Sequence, residues 1–156
     1  MKRILMIMLA LSSVIFSLSA QSGLNIEKFL GGKYASDPQV TETFISGKGN
    51  KFLEKHKLRV FATFKGPSAK YEGMVEALVM KDAATAIGKN IRYKNGKLYY
   101  GLFSLAPVVI NKKKIYRYLY YLNKGVGSGK NLMVVYFEGN LNEEEALRLI
   151  QSIRTK

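Results

Sequence analysis

The chain has 156 residues, with 25 Lys and Arg against 11 Asp and Glu, a formal charge of +14. It has no Cys, no Trp and a single His, which excludes a thiol nucleophile, a disulfide scaffold, an iron–sulfur cluster, a cysteine zinc site and any site needing two histidines. Apolar residues at 47% and charged residues at 23% suit a globular fold rather than a disordered chain.

The N-terminus reads as a secretory signal. Lys2 and Arg3 precede an uncharged apolar run from Ile4 to Leu18, which ends in the small residues Ser19 and Ala20 before the polar Gln21-Ser22-Gly23. The run is short for a membrane span. Cleavage is expected after Ala20, although Leu18 is large for its position relative to that cut. Residues 1–20 are thus expected to be a signal peptide and residues 21–156 a single α+β domain. Removing Lys2 and Arg3 leaves 23 basic groups against 11 acidic ones, a net charge of +12. No Cys follows the apolar run, so a lipid anchor on cysteine is excluded, and no transmembrane segment is expected after cleavage.

In chain order, Asn25 to Leu30 predicts a short helix, with Ile26, Phe29 and Leu30 on one face and Gly31-Gly32 ending it. Asp37-Pro38 is a turn, and β-branched Val40 to Ile45 a short strand. Gly47 to Asn50 reads as a loop. From Lys57 to Lys65 the residues Leu58, Val60, Ala62 and Phe64 alternate with polar ones, which predicts a half-buried strand in which Phe61 is the exception. Gly66-Pro67-Ser68 opens a helix whose stripe runs through Val75, Leu78, Val79, Ala83, Ala86 and Ile87, with Gly88 as its terminator. Asn95-Gly96 between Ile91–Lys94 and Lys97–Tyr100 predicts a hairpin, because both residues accept the positive φ of a type I′ turn. Lys97 to Leu105, Lys114 to Leu122 and Asn131 to Glu138 read as strands rich in Tyr, Val and Phe. Asn142 caps a final helix, with Glu145 completing a capping box. Ala146, Leu149, Ile150 and Ile153 give that helix its apolar face. The expected fold is α+β: a mostly antiparallel sheet of about five strands, a short strand before Asn95 being a sixth candidate, with three helices packed largely on one face.

Several motifs are tested for chemistry. Gly125 to Lys130 departs from a phosphate-binding loop, since Lys124 stands where Gly is needed, Asn131 where Ser or Thr is needed, and a strand rather than a helix follows. Ser128 is no nucleophile elbow, since Gly would be needed at positions 126 and 130, where Val126 and Lys130 stand. His56, between Lys55 and Lys57, reads as a solvated side chain. Glu72 and Glu76 read as an exposed helix face, and Asp82 as either a base or the partner of a buried Tyr. No catalytic set, metal site or cofactor is expected.

The charge distribution is the unusual feature. From Ala83 to Phe137 there is no acidic residue, while Lys89, Arg92, Lys94, Lys97, Lys112, Lys113, Lys114, Arg117, Lys124 and Lys130 fall within the stretch. Tyr93, Tyr99, Tyr100, Tyr116, Tyr118, Tyr120 and Tyr121 are interleaved with them. Cations among aromatics suit a surface for phosphates, sulfates or uronates. The candidate ligand-binding residues are Lys112, Lys113, Lys114, Arg117, Tyr116, Tyr118 and Tyr120, with Tyr116, Tyr118 and Tyr120 on one strand face. A plainer account is the stronger one: Tyr is a strand former, and the lysines confer solubility.

The segments Tyr99-Tyr-Gly-Leu-Phe103, Arg117-Tyr-Leu-Tyr-Tyr-Leu-Asn123 and Val135-Tyr-Phe-Glu-Gly139, the last ahead of a Glu-rich helix, carry a resemblance. From Val40 to the C-terminus the chain resembles small exported proteins of unknown function from Bacteroidetes-type bacteria. The resemblance implies a Gram-negative periplasm or cell surface and transfers no functional residue. The expected function is an exported, non-catalytic binding or interaction domain whose basic Tyr-rich sheet region contacts anionic glycans, other polyanions or an envelope protein. Nucleic acid fits the charge but not the compartment. A small periplasmic enzyme of unrecognised type, using Asp82, a Tyr or a Lys, is the alternative.

Overall fold

A computed structural model describes residues 23–125 and 130–154. The expected signal segment and the centre of the Gly125–Lys130 loop, including Ser128, lie outside these residues. In chain order the elements are α1 (Glu27–Leu30), β1 (Thr41–Ser46), α2 (Lys51–Lys55), β2 (Leu58–Pro67), α3 (Ser68–Ala83), β3 (Gly88–Lys94), β4 (Lys97–Ile110), β5 (Lys113–Asn123), β6 (Asn131–Gly139) and α4 (Glu143–Arg154). The strands form one sheet in the order β1-β2-β6-β5-β4-β3, antiparallel at every step. The α+β class and the antiparallel sheet stand. The described residues hold six strands and four helices rather than five and three.

The helices also pack on both faces of the sheet, not largely on one. On one face, Ile26, Phe29 and Leu30 of the α1 segment and Tyr71, Val75 and Val79 of α3 pack on Val60, Ala62, Phe64, Leu119, Val134 and Tyr136. On the other, Leu53 of α2 and Ala146, Leu149 and Ile150 of α4 pack on Phe61, Tyr118, Tyr120, Val135 and Phe137. Two covered faces explain why Phe61 breaks the alternation of β2: it belongs to the second core. They also explain the run Val134 to Gly139, which is buried without interruption, as expected of a central strand covered on both sides.

Local chemistry sets the element ends. Asn142 and Glu145 form the predicted reciprocal pair, each backbone N–H donating to the other's side chain at 2.9 Å, and buried Leu141 packs beside Ala146 at the helix entry. Asn50 caps the unpredicted α2, its Oδ1 accepting from the N–H of Phe52 and Leu53 at 3.0 and 3.2 Å. Asn95 and Gly96 adopt φ of 52° and 73° between the paired Lys94 and Lys97, as the hairpin reading requires. α3 ends at Ala83, short of the stripe read through Ile87. Ile87 instead donates its N–H to the Ser104 carbonyl at 2.8 Å and leads into β3, so Gly88 opens a strand rather than closing a helix. Asp82 meets Asn25 and Ile26 rather than a buried Tyr. Its carboxylate accepts from Asn25 N–H, Asn25 Nδ2 and Ile26 N–H at 2.7, 2.9 and 2.8 Å, and so ties the α1 segment to the end of α3.

Candidate functional site

β4 and β5 are longer than their neighbours. β3 pairs with β4 only from Ser104 back to Lys97, and β6 reaches β5 only from Tyr116 onward. Residues 106–115 therefore form a two-stranded ribbon flanked by no other strand. It starts at the irregularity between Leu105 and Val108, around Pro107, where a residue without an N–H is tolerated. Its aliphatic side chains include Val109, 73% exposed. Its turn is Asn111-Lys112, closed by the pair Ile110 and Lys113, with φ of 49° and 62°. Lys112, Lys113 and Lys114 are all exposed.

The candidate residues separate into three environments. The three lysines occupy the ribbon tip. Lys114 Nζ lies 5.3 Å from the centroid of the half-buried Tyr116 ring, a cation–π contact at the ribbon's base. Tyr118 and Tyr120 lie inside the second core. The Tyr118 ring stacks on Phe137 at 5.2 Å, and its hydroxyl donates to the Leu141 carbonyl at 3.0 Å. Burial raises that phenol to about 12. Tyr120 is fully buried, edge-on to Tyr100 at 5.6 Å, and burial again raises its phenol. Arg117 points to the opposite face from these tyrosines.

There Arg117 joins a chain of polar groups that the sequence did not reveal. Arg117 Nε donates to the Tyr136 hydroxyl at 3.1 Å, and Tyr136 donates to Glu138 Oε2. Arg59 Nη1 donates to Glu138 Oε1 at 2.7 Å. Arg117 and Glu138 are directly paired across β5 and β6. Glu138 is fully buried, whereas the Arg59 side chain is 37% exposed. The four groups fix the root of the ribbon. A buried carboxylate without such partners would be strongly unfavourable.

Burial lifts the Glu138 carboxyl above its ordinary 4.5, against the pull of the Tyr136 hydrogen bond and the charges of Arg59 and Arg117. The folded state thus holds this proton more tightly than the unfolded chain. The resulting stability is fully present below pH 4.5 and is lost as pH rises through the folded value. The stability difference between the native protein and Glu138→Gln should shift in favour of the native protein as pH falls from 7 to 5. Urea denaturation at both pH values measures it, and a shift toward the variant would contradict the sign. Glu72 titrates in the opposite sense. Lys97 Nζ at 2.5 Å, Asn123 Nδ2 at 3.1 Å and the Ser68 hydroxyl at 3.0 Å hold its carboxyl low, so its stabilisation is lost on acidification. It is a bridge between α3 and the sheet rather than part of a solvated face.

Among the described residues, no group of three or more His, Asp or Glu side chains could hold a metal ion, and no helix is long and apolar enough to cross a membrane. No curated protein and no solved structure matches the chain. The profile of one family matches residues 13–150, a span that includes every strand, the polar chain at Glu138 and the lysine-tipped ribbon. The chain belongs to that family, the family of unknown function DUF6108.

Proposed function

We propose that the chain is an exported, non-catalytic binding domain of a Gram-negative envelope, in the periplasm or at the cell surface, and that its lysine-tipped ribbon engages anionic glycan or another polyanion. One observation carries the reading. Both two-residue hairpin turns use the left-handed conformation at their second position, yet one has Gly96 there and the other Lys112. A side chain with a Cβ costs about 1–2 kcal/mol in that conformation. Glycine would be the default, and the chain instead places a cation at the outermost point of the ribbon, followed directly by Lys113 and Lys114.

Two variants separate a functional lysine from an incidental one. Lys112→Gly should raise stability by roughly 0.5–1 kcal/mol and weaken retention on heparin and dextran sulfate. Lys112→Gln with Lys113→Gln and Lys114→Gln should weaken binding to both and make its salt dependence shallower, since each cation that meets an anionic group releases about one counterion. Unchanged elution of both variants would defeat the reading. The location rests on the basic, apolar and small-residue pattern of residues 1–20 and on the resemblance to exported Bacteroidetes-type proteins. Protein isolated from its host should begin at or near Gln21, and an intact mass that retains Met1 to Ala20 would contradict export with cleavage.

A further inference from the structure

A second basic site lies at the far end of the α4 face, remote in sequence from the ribbon tip. Cross-strand pairing aligns one row of side chains there. Lys65 pairs with Met133, Met133 with Leu122, Leu122 with Tyr100, and Tyr100 with Arg92. Partners in register point to the same face, so the row crosses five strands with a cation at each end and an apolar and aromatic floor between them. α4 ends above this row. Its last described residue, Arg154, holds its guanidinium 5.9 Å from the Tyr100 ring centroid, and Arg92 approaches the same ring at 5.5 Å.

Beside the last described turn of α4, a cavity of about 330 Å³ opens. Leu122 and Met133 form its floor, and Ile153 and Arg154 its wall. Lys65, Lys124 and Lys130 stand around it, and no carboxylate is among its described lining residues. Among the described residues, no carboxylate pairs with Lys65, Lys130 or Arg154. The contrast with a second cavity, about 260 Å³ between α2 and α4, is informative. That one is also rich in cations, but Glu145 lines it and already holds Lys57 at 2.6 Å. Of the two, the first has cations convergent on an apolar floor with no carboxylate among its described lining residues.

We propose that this cavity binds a small organic anion: a phosphate or carboxylate group met by Lys65, Lys130 and Arg154, carrying a short apolar body that covers Met133, Leu122 and Ile153. The two halves of the site exclude simpler occupants. An inorganic anion would satisfy the cations and leave the floor in water. A neutral amphiphile would cover the floor and leave the positive potential unanswered. The volume lies at the small end of ligand sites, so the walls enclose the anionic group and the first carbons of an alkyl chain whose end extends beyond them. The same chemistry is offered by a free metabolite-sized anion and by the head of an anionic lipid.

Calorimetric titration of the full chain with monomeric octyl phosphate tests the assignment, with inorganic phosphate and octyl glucoside as the half-ligands. Octyl phosphate should bind at least tenfold more tightly than either. Lys65→Gln with Lys130→Gln, both at exposed positions, should weaken it tenfold or more without moving the thermal midpoint. Met133→Glu should abolish it by placing a carboxylate on the floor. The triple Gln variant at Lys112, Lys113 and Lys114 should bind octyl phosphate as the native protein does, so failure here and failure of the ribbon reading are distinguishable. Phosphatidylglycerol vesicles identify the source: binding that octyl phosphate displaces assigns a lipid head, and no vesicle binding assigns a free anion. Octyl phosphate binding no tighter than inorganic phosphate, or untouched by the Lys65 and Lys130 substitutions, overturns the proposal. Equal weakening by the ribbon variant also overturns it, since net charge would then explain everything.

Discussion

A chain ending at Leu141 is expected to show no cooperative melt. The deleted helix contributes Ala146, Leu149 and Ile150, each no more than 2% exposed. Beneath it lie Tyr118, Tyr120, Val135 and Phe137, which would become a broad apolar sheet surface in water. Removing one large buried aliphatic side chain typically costs ~2–5 kcal/mol. Total stability is on the order of 5–15 kcal/mol for a protein of this kind. Two such losses, with the stripped aromatic floor added, consume most or all of it. Losing the 2.6 Å ion pair between Lys57 and Glu145 adds little, because Lys57 is largely solvated. Circular dichroism against temperature measures the outcome, and a sharp transition in the truncated chain would show that the α3 face alone can sustain the sheet.

Gly139→Ala should destabilise by about 3 kcal/mol or more, out of proportion to one methyl group. A Cβ at Gly139 would meet the Lys57 carbonyl oxygen inside any permitted contact and would lie 2.7 Å from Leu58 Cα. Both obstacles are backbone, and neither is free to retreat. Lys57 is in the left-handed region at φ 58°, its carbonyl accepts the Asn140 N–H at 2.9 Å, and the register of β2 against β6 shifts at this point. Overpacking ordinarily costs ~1–3 kcal/mol because neighbours yield; here the neighbours are pinned. Urea denaturation resolves the effect, and a loss under about 1 kcal/mol would mean that the β2 irregularity is softer than its hydrogen bonds indicate.

The parts of the fold legible in the sequence are those that local chemistry decides. α4 announces itself through a capping box and an apolar repeat, and the Asn95-Gly96 hairpin through two residues suited to positive φ. β3 was faint because it is an edge strand: apart from its first residue, Gly88, only Ile91 is more than superficially covered, so no alternation is written into it. α2 is five residues long and rests on one cap, below what periodicity detects. The second covered face did leave a signal, in Phe61 and in the unbroken apolar run of β6, but short apolar runs do not say which element will cover them. At the candidate site, the sequence placed the lysines together because they are neighbours in the chain. It could not separate Tyr118 and Tyr120 from Tyr116, since burial depends on where α4 lands. Nor could it place Glu138 beside Arg59 and Arg117, because that cluster exists only through the registers of β2, β5 and β6.

The position of β6 has a kinetic consequence. The last strand in the chain is inserted between β2 and β5, so Phe61 waits for Phe137 and Ala62 for Tyr136. The β3–β4–β5 meander and the β1–β2 hairpin can form from nearby residues, but neither can be joined to the other until residues 131–139 arrive. Closing so distant a pairing is slow, on the order of milliseconds to seconds for sheets dominated by remote contacts. A chain emerging from the ribosome N-terminus first therefore remains in two incomplete halves, each with an open sheet edge, until nearly all of it has been made. The same delay keeps the sheet open for as long as the C-terminal sixth of the chain is withheld.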